Sequence, residues 1–314
     1  LPALADVNVV TDIAPIHSIT AQIMGDTGTP TLLLPVDADV HHFQFRPSDA
    51  NALQNADVVI MVGETLTPWL ADPLASLAQN ASVLALVETE SWEPFQLSLR
   101  EGHEHSGHED HDDHADHDDH DDHDNHDDHD DHADHDGHDD HEEAKDSADV
   151  DPHAWLHVAV ASHWAAEIAA SLSAADPENA ETYAANLSNF IVQTTALDTE
   201  IAALLKETGP IIWPHDGYQY LETLYKIDAA GSVADVHGAT PGPDRIAELQ
   251  NLVNAEGVTC ILTDREINGD WVETIREGTD VGTAFIDSIG AELETGPDLY
   301  PTMMRNIATA IAEC

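Results

Sequence analysis

Short apolar runs alternate with amphipathic segments in the first part of the chain. Residues 7–13, 31–36, 58–62 and 83–87 are predicted to be strands, with helical stretches between them. The run at 58–62 is apolar on both faces, which is typical of a parallel strand covered by helices on both sides. The pattern therefore predicts a doubly wound α/β lobe.

A long helix is predicted next, over residues 177–208. Asp176 is a suitable N-cap before Pro177 at the first helical position, and Gly209-Pro210 ends the helix. Apolar side chains recur along it at spacings of three and four residues, as on one face of a helix. These residues are Ala185, Leu187, Ile191, Ala196, Leu197, Ile201, Leu204 and Leu205.

Strand-like runs resume after this helix, at residues 211–213, 231–236, 259–263 and 282–286. The simplest fold is therefore α/β, with two doubly wound lobes joined by the long helix. We predict an N-terminal lobe at 1–175, a linking helix at 176–209 and a C-terminal lobe at 210–314. A ligand site is expected in the cleft between the lobes, because open parallel sheets bind ligands beyond the carboxyl ends of their strands.

One segment fits neither lobe. Residues 101–143 contain 14 histidines and 22 acidic residues but no Lys or Arg, and such a sequence cannot bury a core. From His105 to His141 a histidine recurs at every third position, a period that matches neither a helix face nor a strand. We predict a disordered loop over residues 101–150 within the N-terminal lobe. It either binds metal ions or serves as a solubilising acidic tether.

The composition narrows the possible partners. With 314 residues, 42% of them hydrophobic, the chain can build a core, but 9 basic against 62 acidic residues give a formal charge of −53. This charge argues against binding nucleic acid or anionic lipid and favours cations. No run approaches the roughly 18 to 20 apolar residues of a membrane-spanning helix. Ala3-Leu4-Ala5 resembles the end of a signal peptide, which predicts export and removal of a leader.

The two cysteines are Cys260, in an apolar run, and Cys314, the last residue. In an oxidising compartment they would form a disulfide that ties down the C-terminus. The alternative is two unrelated thiols, with Cys260 as an ordinary small core residue.

Eight histidines lie outside the loop, and any one of them taken alone is more simply a core or surface residue. His41, His153 and His215, however, fall near the carboxyl ends of predicted parallel strands or at the end of the loop. Asp287 ends the run at 282–286 in the second lobe. Three neutral imidazoles and one carboxylate suit a four-coordinate Zn²⁺ ion. Asp216 and Glu64 either orient these imidazoles or are ordinary charged residues, Asp216 on the side of a helix and Glu64 at a helix N-terminus.

Four motifs carry a resemblance to a known family. They are residues 39–49 (DVHHFQFRPSD), 151–156 (DPHAWL), 214–218 (PHDGY) and 285–290 (FIDSIG). With them the chain resembles the zinc-uptake (ZnuA-type) branch of the cluster A-I substrate-binding proteins of bacterial ABC transporters, over nearly all of its length. The spacing to Arg46 matches His41, rather than His42, to the family's first ligand.

The resemblance implies a Zn²⁺ site formed by His41, His153, His215 and Asp287, and a disulfide between Cys260 and Cys314. It implies a periplasmic binding protein, not an enzyme, that delivers Zn²⁺ to the membrane permease of an ABC importer. We also expect a monomer, and an auxiliary periplasmic zinc chaperone as a second partner.

The loop is expected to bind additional zinc weakly and to pass it toward the cleft, because the loop leads directly into His153. Its secondary ligands would be His103, His105, His108, His111, His114, His117, His120, His123, His126, His129, His132, His135, His138 and His141.

Three other functions compete with this interpretation. A manganese or ferrous-iron binding member of the same family would be favoured by Glu at the third ligand position, where this chain has His215. A zinc buffer or chaperone would act mainly through the loop. A zinc hydrolase would need an open metal position, and the chain lacks a His-Glu-x-x-His signature.

Overall fold

The structure is a computed structural model, and it describes residues 7–35, 38–100, 150–236, 238–255 and 257–314. Within these residues the chain forms two four-stranded sheets, each entirely parallel and each accompanied by helices. Every strand predicted from the sequence has a counterpart here, although most are shorter than the apolar runs. The predicted α/β fold with two doubly wound lobes is therefore confirmed.

The first sheet has the strand order β2-β1-β3-β4. Its strands are β1 Val9–Thr11, β2 Thr31–Leu32, β3 Val58–Met61 and β4 Ser82–Ala85. Every residue of β3 is buried, as expected for a central strand covered on both faces. The helices of this part are α1 Ala14–Met24, α2 Pro47–Gln54 and α3 Ala71–Leu77, followed after the loop by α4 Val158–Ala175.

The long helix α5 spans Ala180–Leu204, with short 3-10 turns before and after it. It packs against α4 and buries Tyr183, Phe190 and Leu197. The predicted cap differs from the structure. The carboxylate of Asp176 bonds no backbone N–H of the first turn, and instead accepts from the side chains of Asn179 at 2.7 Å and Tyr183 at 2.8 Å.

The second sheet has the strand order β6-β5-β7-β8. Its strands are β5 Ile211–His215, β6 Ala229–Ala234, β7 Cys260–Thr263 and β8 Gly282–Phe285. The helices are α6 Gln219–Tyr225, α7 Pro243–Ala255, α8 Gly269–Ile275 and α9 Leu299–Glu313. Because β5 and β7 are parallel neighbours, the residues that follow them lie at one edge of the sheet.

Buried hydrogen bonds connect the two halves of the fold. The indole of Trp155 donates to the carbonyl of Ser288 at 2.8 Å, and the hydroxyl of Tyr300 donates to the carbonyl of Trp155 at 2.9 Å. Cys260 and Cys314 form a disulfide with a Cα–Cα distance of 5.6 Å, which confirms the predicted pair. No helix among the described residues is long and apolar enough to cross a bilayer.

Asp12, directly after β1, is a fully buried carboxylate. One of its oxygens accepts from the backbone N–H of Ile13 and the other from that of Val62, both at 2.7 Å. Burial raises the pKa of this carboxyl from 3.8 to about 7, against the opposing effect of these hydrogen bonds. The native state therefore holds the Asp12 proton more tightly than the unfolded chain does.

This raised pKa predicts an unusual pH dependence of stability. The contribution of Asp12 to the free energy of unfolding is fully present below about pH 4 and is lost as the pH rises through about 7. The loss is on the order of 3 to 4 kcal/mol. Urea unfolding of the zinc-free protein at pH 4 and at pH 8 gives the change in the free energy of unfolding between the two pH values. This change should differ by about this amount between the wild type and Asp12→Asn. An identical difference in both proteins would contradict the assignment.

Candidate metal centre

His153 lies just before a 3-10 turn at Ala154–Leu156 and is buried. The carboxylate of Asp151 accepts from the backbone N–H of His153 at 2.9 Å and lies 2.8 Å from its ring Nδ1. A hydrogen bond at Nδ1 places the proton there and leaves Nε2 as the nitrogen with a lone pair for a metal ion. Asp151 therefore sets both the orientation and the tautomer of this imidazole.

His215 is the last residue of β5 and is also buried. Its Nδ1 lies 2.8 Å from an oxygen of Asp264, which directly follows the neighbouring strand β7. Glu266 places a second carboxylate oxygen 3.5 Å from the same nitrogen. Because β5 and β7 are parallel neighbours, Asp264 is a carboxylate partner of His215, just as Asp151 is the carboxylate partner of His153.

The structure brings the three predicted histidine ligands together. The ring centroids of His41 and His153 are 5.9 Å apart, and those of His153 and His215 are 5.5 Å apart. His41 is buried, with its backbone N–H bonded to Asp39 at 2.8 Å. The adjacent His42 has a side chain that is 76% exposed and pairs with Asp39 outside the imidazole group. Only one member of the histidine pair therefore belongs to the cluster.

Asp287, the predicted fourth ligand, lies in the turn after β8. Its carboxylate accepts backbone N–H groups from Ile289, Gly290 and Glu292 at 2.9 to 3.2 Å, so its position is fixed by the turn. A cavity of about 710 Å³ is lined by six histidine or carboxylate side chains that could bind metal ions. They are Asp39, His42, Asp235, Asp264, Glu266 and Asp287.

Sequence reasoning missed Asp151, Asp264 and Glu266. Asp264 had a recoverable signal, because it follows the predicted strand at 259–263 at the edge where ligands bind. Among the described residues, His215, Asp264 and Glu266 form a group whose potential ligand atoms all lie within 4.8 Å of one another.

The two expected orienting carboxylates lie elsewhere. Asp216 is paired with the guanidinium of Arg100 at 2.8 Å, and Glu64 is exposed. Burial and the nearby Glu222 and Asp151 charges raise the pKa of Asp216 to about 6, against the lowering effect of Arg100.

Electrostatics at His215 favour a cation. Burial lowers the pKa of this imidazole, but the hydrogen bond that its Nδ1–H donates to Asp264 and the charge of Glu266 outweigh this effect, and the net shift is upward. Burial raises the pKa of Glu266. One oxygen of Glu266 is buried and accepts no hydrogen bond. The same negative potential that retains a proton on His215 would stabilise a divalent cation bound there.

Four histidines outside the loop remain, namely His17, His157, His163 and His237. His163 is half-buried, and its ring centroid lies 5.3 Å from that of Phe95. His17 and His157 are buried, and burial lowers the pKa of both. The ring of His17 bonds the carbonyl of Pro30 at 3.0 Å, and His157 packs on Phe95 with centroids 5.1 Å apart. These contacts fit structural roles. His237 and the 14 predicted loop ligands lie outside the described residues.

This arrangement is suited to holding a metal ion. Three imidazoles, two of them with Nδ1 bonded to a buried carboxylate, converge beside further carboxylates. Nitrogen-rich sets of three histidines and one carboxylate match the four-coordinate preference of Zn²⁺.

Comparison with known proteins adds to this geometry. Residues 9–314 match the family model described as "ZnuA: Zinc-uptake complex component A periplasmic". Two relatives are named "High-affinity zinc uptake system protein ZnuA". That of Brucella abortus is 38% identical over 98% of this chain and 91% of the relative. The relative from Paracoccus denitrificans is 40% identical over 100% of this chain and 94% of the relative.

Solved structures support the fold. A crystal structure of ZnuA superposes with a TM-score of 0.74 at 17% identity, covering 99% of each chain. The binding protein FpvC of Pseudomonas aeruginosa, in complex with Mn²⁺, superposes with a TM-score of 0.75 at 18% identity, covering 98% of each chain.

Proposed function

This chain belongs to the ZnuA family of periplasmic zinc-uptake components, and we propose that it binds one Zn²⁺ ion through His41, His153, His215 and Asp287. Proteins of this family are binding proteins of ABC importers and not enzymes. Zn²⁺ is therefore the cargo of this chain, and its release to the importer's permease completes its task.

One observation carries the proposed site. His153 and His215, from different lobes, each have Nδ1 bonded at 2.8 Å to a buried carboxylate, and their rings lie 5.5 Å apart. Carboxylate–histidine pairs of this kind fix the ring and make Nε2 a better metal ligand. Two such pairs beside a third imidazole are suited to sharing one metal ion.

A carboxylate completes the proposed coordination. Asp287 is the main candidate, since its turn holds the side chain at the wall of the cavity shared with Glu266. Glu266 is the second candidate, because one of its oxygens is buried and accepts no hydrogen bond. With one carboxylate and three neutral imidazoles, the bound ion keeps a net charge of about +1, which the surrounding Asp151 and Asp264 carboxylates offset.

The proposed function also implies a cellular location and further partners. We expect the chain to be exported with removal of a leader and to act as a monomer in the periplasm. An auxiliary periplasmic zinc chaperone is a further expected partner. The net charge of −53 favours attraction of cations and disfavours nucleic acid as a partner.

The histidine-rich loop is proposed to capture additional zinc and to pass it to the cleft. Ser98 and Val150, on either side of it, pair as an antiparallel bridge, and Asp151 follows directly. The described residues that flank the loop are therefore paired with each other close to the proposed ligand His153. Tethering at this distance gives an effective concentration in the millimolar range, so weak His and Asp ligands suffice to enrich zinc near the cleft.

Deleting residues 103–141 separates the cleft from the loop. We expect calorimetric titration to detect one tight zinc site in both proteins, and weaker sites of about micromolar dissociation constant only in the full-length chain. The cleft keeps its affinity because none of its proposed ligands lies in the deleted segment. Loss of the tight site on deletion would instead make the loop the main binding element, as in a zinc buffer. Equal stoichiometry in both proteins would leave the loop as a spacer.

A further inference from the structure

Asp151, the partner of His153, has every polar group engaged. Its backbone N–H donates to the carbonyl of Leu97 at 2.9 Å, and its carbonyl accepts from the hydroxyl of Tyr220 at 2.9 Å. One carboxylate oxygen bonds His153, and the other accepts from the side-chain amide of Gln219 at 3.1 Å. Asp151 is completely buried, so no water can replace a lost partner without rearrangement.

Two of these partners come from the second lobe. Helix α6 begins at Gln219, only four residues after His215 at the end of β5. Both Gln219 and Tyr220 are buried. The segment from the end of β5 to the start of α6 therefore carries the proposed zinc ligand His215. It also carries Gln219 and Tyr220, which bond Asp151, the partner of the proposed ligand His153.

The same helix also holds the segment that leads into the loop. The Tyr220 hydroxyl accepts from the backbone N–H of Leu97 at 3.3 Å while it donates to Asp151. Nearby, Arg100 forms ion pairs with Asp216 and Glu222, whose side chains are largely buried. The contacts of α6 with Leu97, Arg100 and Asp151 thus form one continuous connection between the lobes beside the metal centre.

We infer that Gln219 and Tyr220 are positioning residues that hold His153 in register with His215 across the two lobes. Gln219 acts through the carboxylate of Asp151, and Tyr220 acts through its backbone carbonyl. This inference rests on the proposed zinc site.

The chemistry of Gln219 fits this role. Its amide donates to Asp151 without adding charge, so the carboxylate keeps its full negative charge for the imidazole of His153. A lysine at this position would neutralise that charge, and a glutamate would repel it. Without any donor here, a buried carboxylate oxygen is left unsatisfied, and the carboxylate can turn away from His153 to find another partner.

The test compares Gln219→Leu, which keeps the size of the side chain but removes the donor, with the wild-type protein. Zinc dissociation constants are measured by chelator competition, and dissociation rates by mixing with excess chelator. We expect binding to weaken about tenfold, mainly through faster dissociation, which is the usual range for outer partners of metal ligands. Tyr220→Phe, which loses a single hydroxyl, should show a smaller change in the same direction. Thr223→Val, at an exposed position of the same helix, should bind as the wild type does.

A double-mutant cycle distinguishes positioning from a general structural effect. If Gln219 acts through the Asp151 carboxylate, Gln219→Leu has no further effect on zinc affinity or dissociation rate in an Asp151→Ala background, which has no side-chain acceptor for the amide. An equal effect in both backgrounds would overturn the inference, as would wild-type binding by Gln219→Leu. If the proposed zinc site itself is wrong, the result is different from these outcomes. The wild type would then bind zinc no better than a variant that lacks His153.

Discussion

Replacing His153 or His215 by alanine is expected to weaken zinc binding by about two orders of magnitude or more. Total binding free energies of about 10 to 16 kcal/mol are typical of four-ligand zinc sites at neutral pH, so each ligand contributes roughly 3 kcal/mol. A loss of this size corresponds to about a hundredfold change in the dissociation constant. Each substitution also leaves Asp151 or Asp264 buried without its imidazole partner.

The measurement is competition with a chromophoric chelator at constant pH, on the loop-deleted chain so that weak sites do not interfere. His42→Ala is the matched control, because His42 neighbours a proposed ligand but has an exposed side chain paired with Asp39. It should bind zinc with nearly unchanged affinity. High-affinity binding at one ion per chain in either His153→Ala or His215→Ala would refute the proposed site.

The same assay assigns the carboxylate ligand. Asp287→Asn should weaken binding more than Glu266→Gln if Asp287 completes the coordination. The opposite order would transfer that role to Glu266, whose buried oxygen lies 3.5 Å from Nδ1 of His215.

The fold was predictable because its central strands are apolar on both faces. The run at 58–62 became β3, in which all four residues are buried, and only a parallel sheet with helices on both faces buries such a strand. The edge strand β2 was harder to delimit. It keeps only Thr31–Leu32 of the run predicted at 31–36, since an edge strand pairs on one side and its ends need not continue the ladder.

Candidate ligands were predictable where a residue lies at the carboxyl end of a predicted parallel strand, because such residues meet at one edge of the sheet. His215 ends β5, and its neighbourhood follows directly from parallel pairing. The carboxylate partner of His215 was harder to assign, because it depends on which strands are neighbours. Asp264 reaches His215 only because β7 pairs with β5, and the sequence does not state that order.

Asp216 is a second example. Its sequence position next to His215 left two roles open, an orienting partner of an imidazole or an ordinary helix-side acid, and its carboxylate pairs with Arg100, 116 positions away. With only 9 basic residues among 314, the position of each guanidinium strongly affects which carboxylates are compensated. Propensity and spacing carry no information about such long-range pairs.

The disulfide connects β7 to the end of α9, and its loss should lower stability substantially. Cys260 is a buried residue of β7, and Cys314 follows the last turn of α9. Helix α9 buries Tyr300, whose hydroxyl bonds the carbonyl of Trp155, two residues from His153. Release of the C-terminus would therefore loosen a helix that supports the metal centre without touching the ion.

The 54-residue separation of the two cysteines sets the expected size of the effect. In the chain-entropy account, opening a loop of this length costs about 4 kcal/mol of folding free energy, or roughly 6 °C in melting temperature for a chain of this size. Thermal and urea unfolding of the zinc-free protein should show this loss in Cys260→Ala/Cys314→Ala, and in the wild type after reduction. Because no proposed ligand is changed, the double variant should still bind zinc tightly at low temperature, where it remains folded. Equal unfolding midpoints for the oxidised wild type and the double variant would show that α9 is held by its apolar contacts alone.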